Sequence, residues 1–166
     1  MNNASQCDIA QSMWRNSLCT WGPAALLPIF NLLGTTYNHR IITSRLESKD
    51  YDSFTKIAFT FPHAVTSIKV GKGVKTEGEL IISGTTGYIY VPAPWWKTEY
   101  FEIRRENPAE NKRYFYQLDG EGIRYEVISF LRAIQGGETH SHISHEVSEA
   151  IVKVTEDFFS NNFITI

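Results

Sequence analysis

The period of the apolar residues changes along this chain, and that change constrains the fold more than any other feature. Between about His39 and Leu118, short runs rich in β-branched and aromatic residues alternate with turn residues, which is typical of antiparallel strands. Beyond them, apolar residues recur about every 3.6 positions, the helical repeat. Strands followed by helices predict an α+β fold, with a largely antiparallel open sheet and helices packed on one face.

The strand-rich zone divides into seven predicted strands, at residues 40–46, 55–61, 64–70, 79–83, 88–91, 100–104 and 113–117. In the second, Ile57, Phe59 and Phe61 share one face, which predicts that this face is buried. Gly84 and Gly87 enclose two threonines between short strands and therefore predict a tight hairpin.

Three helices are predicted around this sheet. The first covers about residues 23–33, with Pro23 in its first turn, Gly34 at its end and a kink or break at Pro28. The second has an apolar stripe that stops at Gly136 and Gly137, formed by Ile123, Val127, Phe130, Leu131 and Ile134. The third has Ser144 as N-cap, Glu146 near its positive end, and a stripe of Val147, Ala150, Ile151, Val154 and Phe158.

Composition excludes several classes of protein. The 166 residues are 42% hydrophobic and fit one domain, residues 1–166. The 16 basic and 18 acidic residues nearly cancel without a basic run, so no nucleic-acid partner is expected. No apolar stretch is long enough to span a bilayer, so no membrane association is expected. Cys7 and Cys19 suggest neither a zinc site nor a disulfide framework, and a reducing cytoplasm fits best.

Two segments resemble ligand-binding motifs without matching them. The glycine-rich residues 71–78, GKGVKTEG, fit neither phosphate-binding pattern and open no predicted helix, so a surface hairpin loop is the better interpretation. His140, His142 and His145 are spaced so that they could converge on a metal, but histidines in an exposed loop are usually solvated, so we predict no metal site. No catalytic signature is present, and no catalytic residue is predicted.

Residues 88–101, YIYVPAPWWKTEYF, are the most unusual segment of the chain. Aromatic rings beside Lys97 suit stacking against a sugar or a charged ligand. The same rings are also common in cores and oligomer interfaces, and this structural interpretation is favoured because aromatic residues act mainly through burial.

The order of the segments resembles the C-terminal half of the glucose-fructose oxidoreductase and inositol dehydrogenase (Gfo/Idh/MocA) family. The resemblance covers about residues 17–159 and includes WGPAALLPIFNLLG, then ELIISGTTGYIYVPAPWWKTEYFEIR, then GEGIRYEVISFLRAIQGGE and EAIVKVTEDFF. Its most specific elements are the G-x-x-G-x-I turn at Gly84, Gly87 and Ile89, and the A-I-x-x-G helix end at Ala133, Ile134 and Gly137.

In that family an N-terminal Rossmann domain binds NAD(P), and a lysine of an EKP-type segment joins catalytic groups of the helix that enters the C-terminal domain. This chain has no dinucleotide fingerprint and no EKP. Where the family helix usually reads D-x-G-x-[YH], this chain has Thr20-Trp21-Gly22-Pro23-Ala24. Neither Thr20 nor Ala24 can act as an acid or base near neutral pH, so these positions do not support ordinary hydride-transfer chemistry even in a full-length parent. Without the Rossmann domain and the EKP segment, the chain alone is not expected to be catalytically complete.

The resemblance implies a substrate-binding and oligomerisation domain of an NAD(P)-dependent sugar or nucleotide-sugar oxidoreductase, with no cofactor in this chain and NAD(P) in a full-length parent. It places five residues nearest the sugar: Thr20, Trp21, Trp95, Trp96 and Lys97. It also implies a homo-oligomer formed through the open sheet face. The alternative is a stand-alone carbohydrate-binding or dimerisation module without enzymatic activity.

Overall fold

The chain contains two separate four-stranded sheets. The computed structural model describes residues 16–48, 51–120, 122–135, 143–160 and 162–166. Its helices are α1 (Ser17–Leu33), α2 (Ile123–Ile134) and α3 (His145–Phe159), with a short 3-10 helix at Pro108–Glu110. Its strands are β1 (His39–Ser48), β2 (Tyr51–Thr60), β3 (Val65–Gly71), β4 (Leu80–Gly84), β5 (Gly87–Val91), β6 (Tyr100–Arg105), β7 (Lys112–Phe115) and β8 (Ile164–Thr165).

The described residues form two units. The first runs to Lys75 and resumes at Ile143, with a sheet of order β3-β2-β1-β8. The second begins at Thr76 and contains the sheet of order β4-β5-β6-β7 together with α2. All described pairings are antiparallel except the one between β1 and β8.

The core of the first unit lies between one sheet face and two helices. The predicted alternation in β2 is confirmed, because Ile57, Phe59 and Phe61 are buried whereas Lys56 and Thr60 are exposed. Helix α1 adds Leu18, Leu26 and Phe30, and the predicted stripe of α3 adds Val147, Ile151, Val154 and Phe158. This burial of apolar surface is the main stabilising contribution in the first unit.

Polar contacts fix α3 in this layer. Arg40 of β1 donates to Asp157 at 2.5 Å, and its guanidinium lies 5.9 Å from the centre of the Tyr37 ring. The N-cap prediction for Ser144 is confirmed, since the Val147 amide donates to its hydroxyl at 3.2 Å. Thr35 donates to Glu146 in the first turn of α3, which ties the end of α1 to that helix.

The second unit is built on a hairpin. Gly84 and Gly87 pair across the two threonines, so the predicted tight turn is confirmed. Pairing continues through β6 to β7, which places Tyr88, Tyr90, Glu102, Arg104 and Arg113 on one face of the sheet. The apolar stripe of α2 is present as predicted, but its side chains are at least half exposed within the described structure, at Ile123, Val127, Phe130, Leu131 and Ile134.

The α+β class with largely antiparallel strands is confirmed, and all seven predicted strands are present. The strands are divided between two sheets. The prediction of a hairpin loop at residues 71–78 is wrong, because this segment joins β3 to β4, which do not pair with each other: β3 pairs with β2, and β4 pairs with β5. The short strand β8 was not predicted. Gly136 and Gly137 lie outside the described residues. Of the helices the structure describes, none combines the length and apolar character needed to cross a membrane.

Helix α1 differs most from its prediction. It begins at Ser17, six residues before Pro23, and continues through Pro28 without breaking into two helices. The Asn16 side chain makes no capping hydrogen bond. The cap comes instead from Asp52, in β2, which is distant in sequence and cannot be recognised as a cap from local pattern.

Candidate functional site

The first turn of α1 is held by the buried carboxyl group of Asp52. One oxygen, Oδ1, accepts from the Ser17 amide at 2.8 Å. The other, Oδ2, accepts from the Leu18 amide at 3.3 Å, from the Ser17 hydroxyl and from the Thr55 hydroxyl at 2.5 Å. Asp52 and Ser17 are both 0% exposed. A carboxyl group here satisfies amides that the start of a helix leaves without partners and complements the helix dipole.

Thr20 and Trp21, two predicted substrate residues, follow directly on this anchored turn. The Thr20 hydroxyl donates to the Asn16 carbonyl oxygen at 2.8 Å, so its proton is used within the helix while its lone pairs can still accept. The Trp21 side chain is 50% exposed. Next to it, a Cβ on Gly22 would lie only 2.7 Å from Cδ1 of the buried Leu18, so the glycine allows Leu18 to pack against the helix.

Cys19 lies in the same turn but is not a good nucleophile at neutral pH. Burial raises the pKa of its thiol to about 11, with a further increase from the nearby charge of Asp52 and an opposing effect from Lys72. The thiolate is the reactive form of cysteine, so the thiol stays protonated and unreactive at pH 7. The first turn of α1 therefore offers polar and aromatic contacts rather than covalent chemistry.

The other three predicted residues lie in the loop that joins β5 to β6. The Trp95 amide donates to the Gly78 carbonyl at 3.0 Å, and the Lys97 amide donates to the Pro94 carbonyl at 2.9 Å. The rings of Trp95 and Trp96 are perpendicular, with centroids 6.1 Å apart, and Trp96 remains 54% exposed. Backbone hydrogen bonds thus define a loop that exposes a large aromatic surface, as stacking against a ligand requires.

One face of the second sheet carries a cluster of cations and aromatic rings that the sequence did not predict. Glu102 accepts hydrogen bonds from Arg104 at 2.7 Å and from Arg113 at 2.8 Å. Both bonds lower the pKa of Glu102, and the bond from Arg104 has the larger effect. Arg104 lies 4.2 Å from the centre of the Tyr90 ring, and Arg113 lies 4.8 Å from that of Tyr100. The two guanidinium groups are therefore held in fixed positions against aromatic faces.

The predicted site residues fall into two groups. Thr20 and Trp21 belong to the first unit, whereas Trp95, Trp96 and Lys97 belong to the second. The sequence missed Asp52, whose helix partners are 34 and 35 residues away, because no local signal links them. It also missed the arginine cluster, which depends on the register across β5, β6 and β7.

The structure can be compared with two ligand motifs considered from the sequence, the histidine cluster and the glycine-rich segment. No group of three His, Cys, Asp or Glu side chains suited to a metal occurs among the described residues, and His140 and His142 lie outside the described part. A dinucleotide site needs a parallel strand that leads through a glycine-rich turn into a helix. Residues 71–78 instead lead from β3 into β4.

Comparison with known proteins gives matches at the level of structure. No family model matches the sequence, and no curated protein matches it. KijD10, a 3-ketoreductase from Actinomadura kijaniata solved with TDP-benzene and NADP, matches with a TM-score of 0.62 and 12% identity over 82% of this chain. A variant of KijD10 with the same ligands matches over 91% of this chain with a TM-score of 0.67 and 12% identity.

The matched region is part of a longer protein in each case. YPO2259 of Yersinia pestis, a proposed oxidoreductase, matches over 84% of this chain with a TM-score of 0.56 and 17% identity. This chain spans 43% of KijD10, 48% of its variant and 44% of YPO2259, less than half of each. These matches fall on the C-terminal part of the longer chains. The chain therefore has the fold of the C-terminal part of these longer proteins, which fits the C-terminal domain of the Gfo/Idh/MocA family that the sequence resembles.

Proposed function

We propose that this chain is the substrate-binding and oligomerisation domain of an NAD(P)-dependent oxidoreductase that acts on a sugar or nucleotide sugar. The observation that carries the proposal is the fold match to KijD10, which was solved with a TDP derivative and NADP. In this proposal NAD(P) binds a domain outside the residues described here, and the cytoplasm is the compartment. The chain alone supplies no acid or base at Thr20 or Ala24, so it binds substrate without converting it.

The residues proposed to contact substrate are Thr20 and Trp21 in the first unit and Trp95, Trp96 and Lys97 in the second, where the last three form the proposed substrate surface of the β5–β6 loop. The exposed rings of Trp21 and Trp96 provide flat apolar surfaces for a sugar or a base. Thr20 offers hydroxyl lone pairs, and Lys97 supplies a positive charge suited to a diphosphate. In this proposal these side chains bind and orient the substrate, while the chemical step takes place on another domain.

Replacing Trp96 with alanine tests this surface. We expect W96A to weaken binding of thymidine diphosphate glucose about tenfold, because loss of a stacking ring removes about 1 kcal/mol or slightly more. Isothermal titration calorimetry on the full chain measures the effect. Tyr116→Ala is the matched control, since Tyr116 is a 67% exposed aromatic residue outside the proposed surface. Equal affinity for W96A and wild type, or wild-type protein that binds NADP but no nucleotide sugar, would contradict the proposal.

The proposed oligomer uses the face of the second sheet that carries Tyr88, Tyr90, Tyr100 and Phe115. Phe115 is 72% exposed, and such a surface is costly to leave in water. We expect light scattering to give a mass above the 19.0 kDa of one chain, with an interface of about 1,000 Å² or more in total. Phe115→Asp should shift the chain to monomer, whereas Val65→Asp, at an 81% exposed position of the first unit, should leave the assembly intact. A wild-type monomer at high concentration would refute this part.

A further inference from the structure

The buried carboxyl group of Asp52 contacts the helix turn that leads into Thr20 and Trp21, and its geometry assigns it a role beyond stability. We propose that Asp52 is a positioning residue that fixes the orientation of Trp21 and Thr20 toward substrate. The ligand part of this inference rests on the proposed function, whereas the structural part does not. No other described carboxylate accepts hydrogen bonds from the first two backbone amides of α1.

The hydrogen bonds fix the start of α1 in both position and direction. Each carboxyl oxygen of Asp52 accepts one backbone amide, from Ser17 and from Leu18, so the first turn cannot rotate about its axis without losing a bond. The carboxyl group is itself held by Thr55, which also contacts Ser44 at 2.6 Å. The anchor is therefore rigid on the strand side as well as on the helix side.

This anchored turn is directly connected to the proposed substrate residues. Trp21 is four positions after Ser17, on the same side of the helix, and Thr20 bonds back to the carbonyl of Asn16, the residue before the helix. Leu26 and Phe30 secure the later turns in the core, where they are almost fully buried. Without Asp52, the first turn would keep its helical hydrogen bonds but lose its external anchor, so Trp21 would sample several orientations.

The Asp52→Asn variant is designed to loosen the anchor with little change in volume. Both carboxyl oxygens accept a backbone amide, and an asparagine side chain has only one oxygen. Whichever way the amide is turned, its NH₂ group faces either the Ser17 or the Leu18 donor. Ile42→Val is the matched control, because Ile42 is a buried core residue of β1 that lies outside the hydrogen-bond network of Asp52.

The experiment uses the full chain labelled with 5-fluorotryptophan, with the ¹⁹F resonance of Trp21 assigned from Trp21→Phe. We expect Asp52→Asn to shift or broaden this resonance and to weaken binding of thymidine diphosphate glucose about tenfold, equivalent to one lost anchoring interaction. Ile42→Val should lower stability modestly but leave both readouts unchanged. Both variants are measured where urea unfolding shows them to be fully folded.

The outcomes separate this inference from the proposed function. An unchanged Trp21 resonance in Asp52→Asn would overturn the positioning role and leave Asp52 as a structural cap only. If wild-type protein binds no nucleotide sugar, the proposed function fails, while the Trp21 resonance still decides the positioning role. If Asp52→Asn does not fold, Ser17→Ala carries the test, because it removes only the hydroxyl contact to Asp52. A Trp21 resonance unaffected by Ser17→Ala would then count against the inference.

Discussion

Replacing Phe59 with alanine is expected to destabilise the protein by about 3–5 kcal/mol, the usual cost of removing a buried phenylalanine. Phe59 is 1% exposed at the centre of an aromatic cluster. Its ring centroid lies 5.0 Å from that of Tyr37, 5.7 Å from that of Phe30 and 6.3 Å from that of Phe61. Helix α1 supplies Phe30 and β2 supplies Phe59, so the substitution leaves a cavity at the contact between helix and sheet.

Urea unfolding followed by far-ultraviolet circular dichroism measures this change. The control is Val65→Ala, because Val65 is also an apolar strand residue but is 81% exposed and lies outside the proposed oligomer interface. We expect the control to cost about 0.5 kcal/mol, as is usual for surface substitutions. A loss below about 1 kcal/mol for Phe59→Ala would show that the aromatic cluster is not the stabilising centre of the first unit.

The second large effect is expected at Gly87. Its φ of +153° is in a region that other residues rarely adopt, and an added Cβ would overlap the backbone carbonyl oxygen of Arg104. That carbonyl belongs to β6, which pairs with β5 immediately beside Gly87, so it cannot move aside without breaking the ladder. We expect Gly87→Ala to cost about 3 kcal/mol or more, since backbone strain and overpacking each cost about 1–3 kcal/mol.

Hydrogen exchange read by mass spectrometry locates this effect. In Gly87→Ala, amides of β5 and β6 should exchange faster, while those of β1 and β2 in the first unit keep their protection. Gly73→Ala is the matched control, because Gly73 also has a positive φ, of +77°, but nothing lies within 4 Å of an added Cβ. It should cost about 1–2 kcal/mol, from backbone strain alone. Equal losses of unfolding free energy in the two variants would mean that the close approach of Gly87 to the Arg104 carbonyl does not contribute to the destabilisation.

The elements that could be predicted were those whose signal is local. The alternation of Ile57, Phe59 and Phe61 marks a half-buried strand, and their burial confirms it. Gly84 and Gly87 frame a two-residue turn, and the pairing of these glycines confirms the hairpin. Ser144 could be recognised as an N-cap because its partner, Val147, is three residues away.

The elements that were missed depend on partners distant in sequence. The two-residue strand β8 exists only because it pairs with β1, more than a hundred residues earlier. The division into two sheets could not be foreseen, because identical alternation is compatible with many pairings. For the candidate site, the sequence named exposed Trp21 and Trp96 but not the groups that hold Trp21 in place.

The sequence by itself determined the α+β class, the seven long strands, the hairpin at Gly84 and Gly87 and the resemblance to an oxidoreductase C-terminal domain. These follow from side-chain period, turn chemistry and segment order, which are properties of neighbouring residues. Only the tertiary structure decided where α1 begins and which groups cluster on the second sheet. Asp52 reaches Ser17 across 35 residues, and Arg104 meets Tyr90 through strand register, so these contacts exist only once distant segments have packed together.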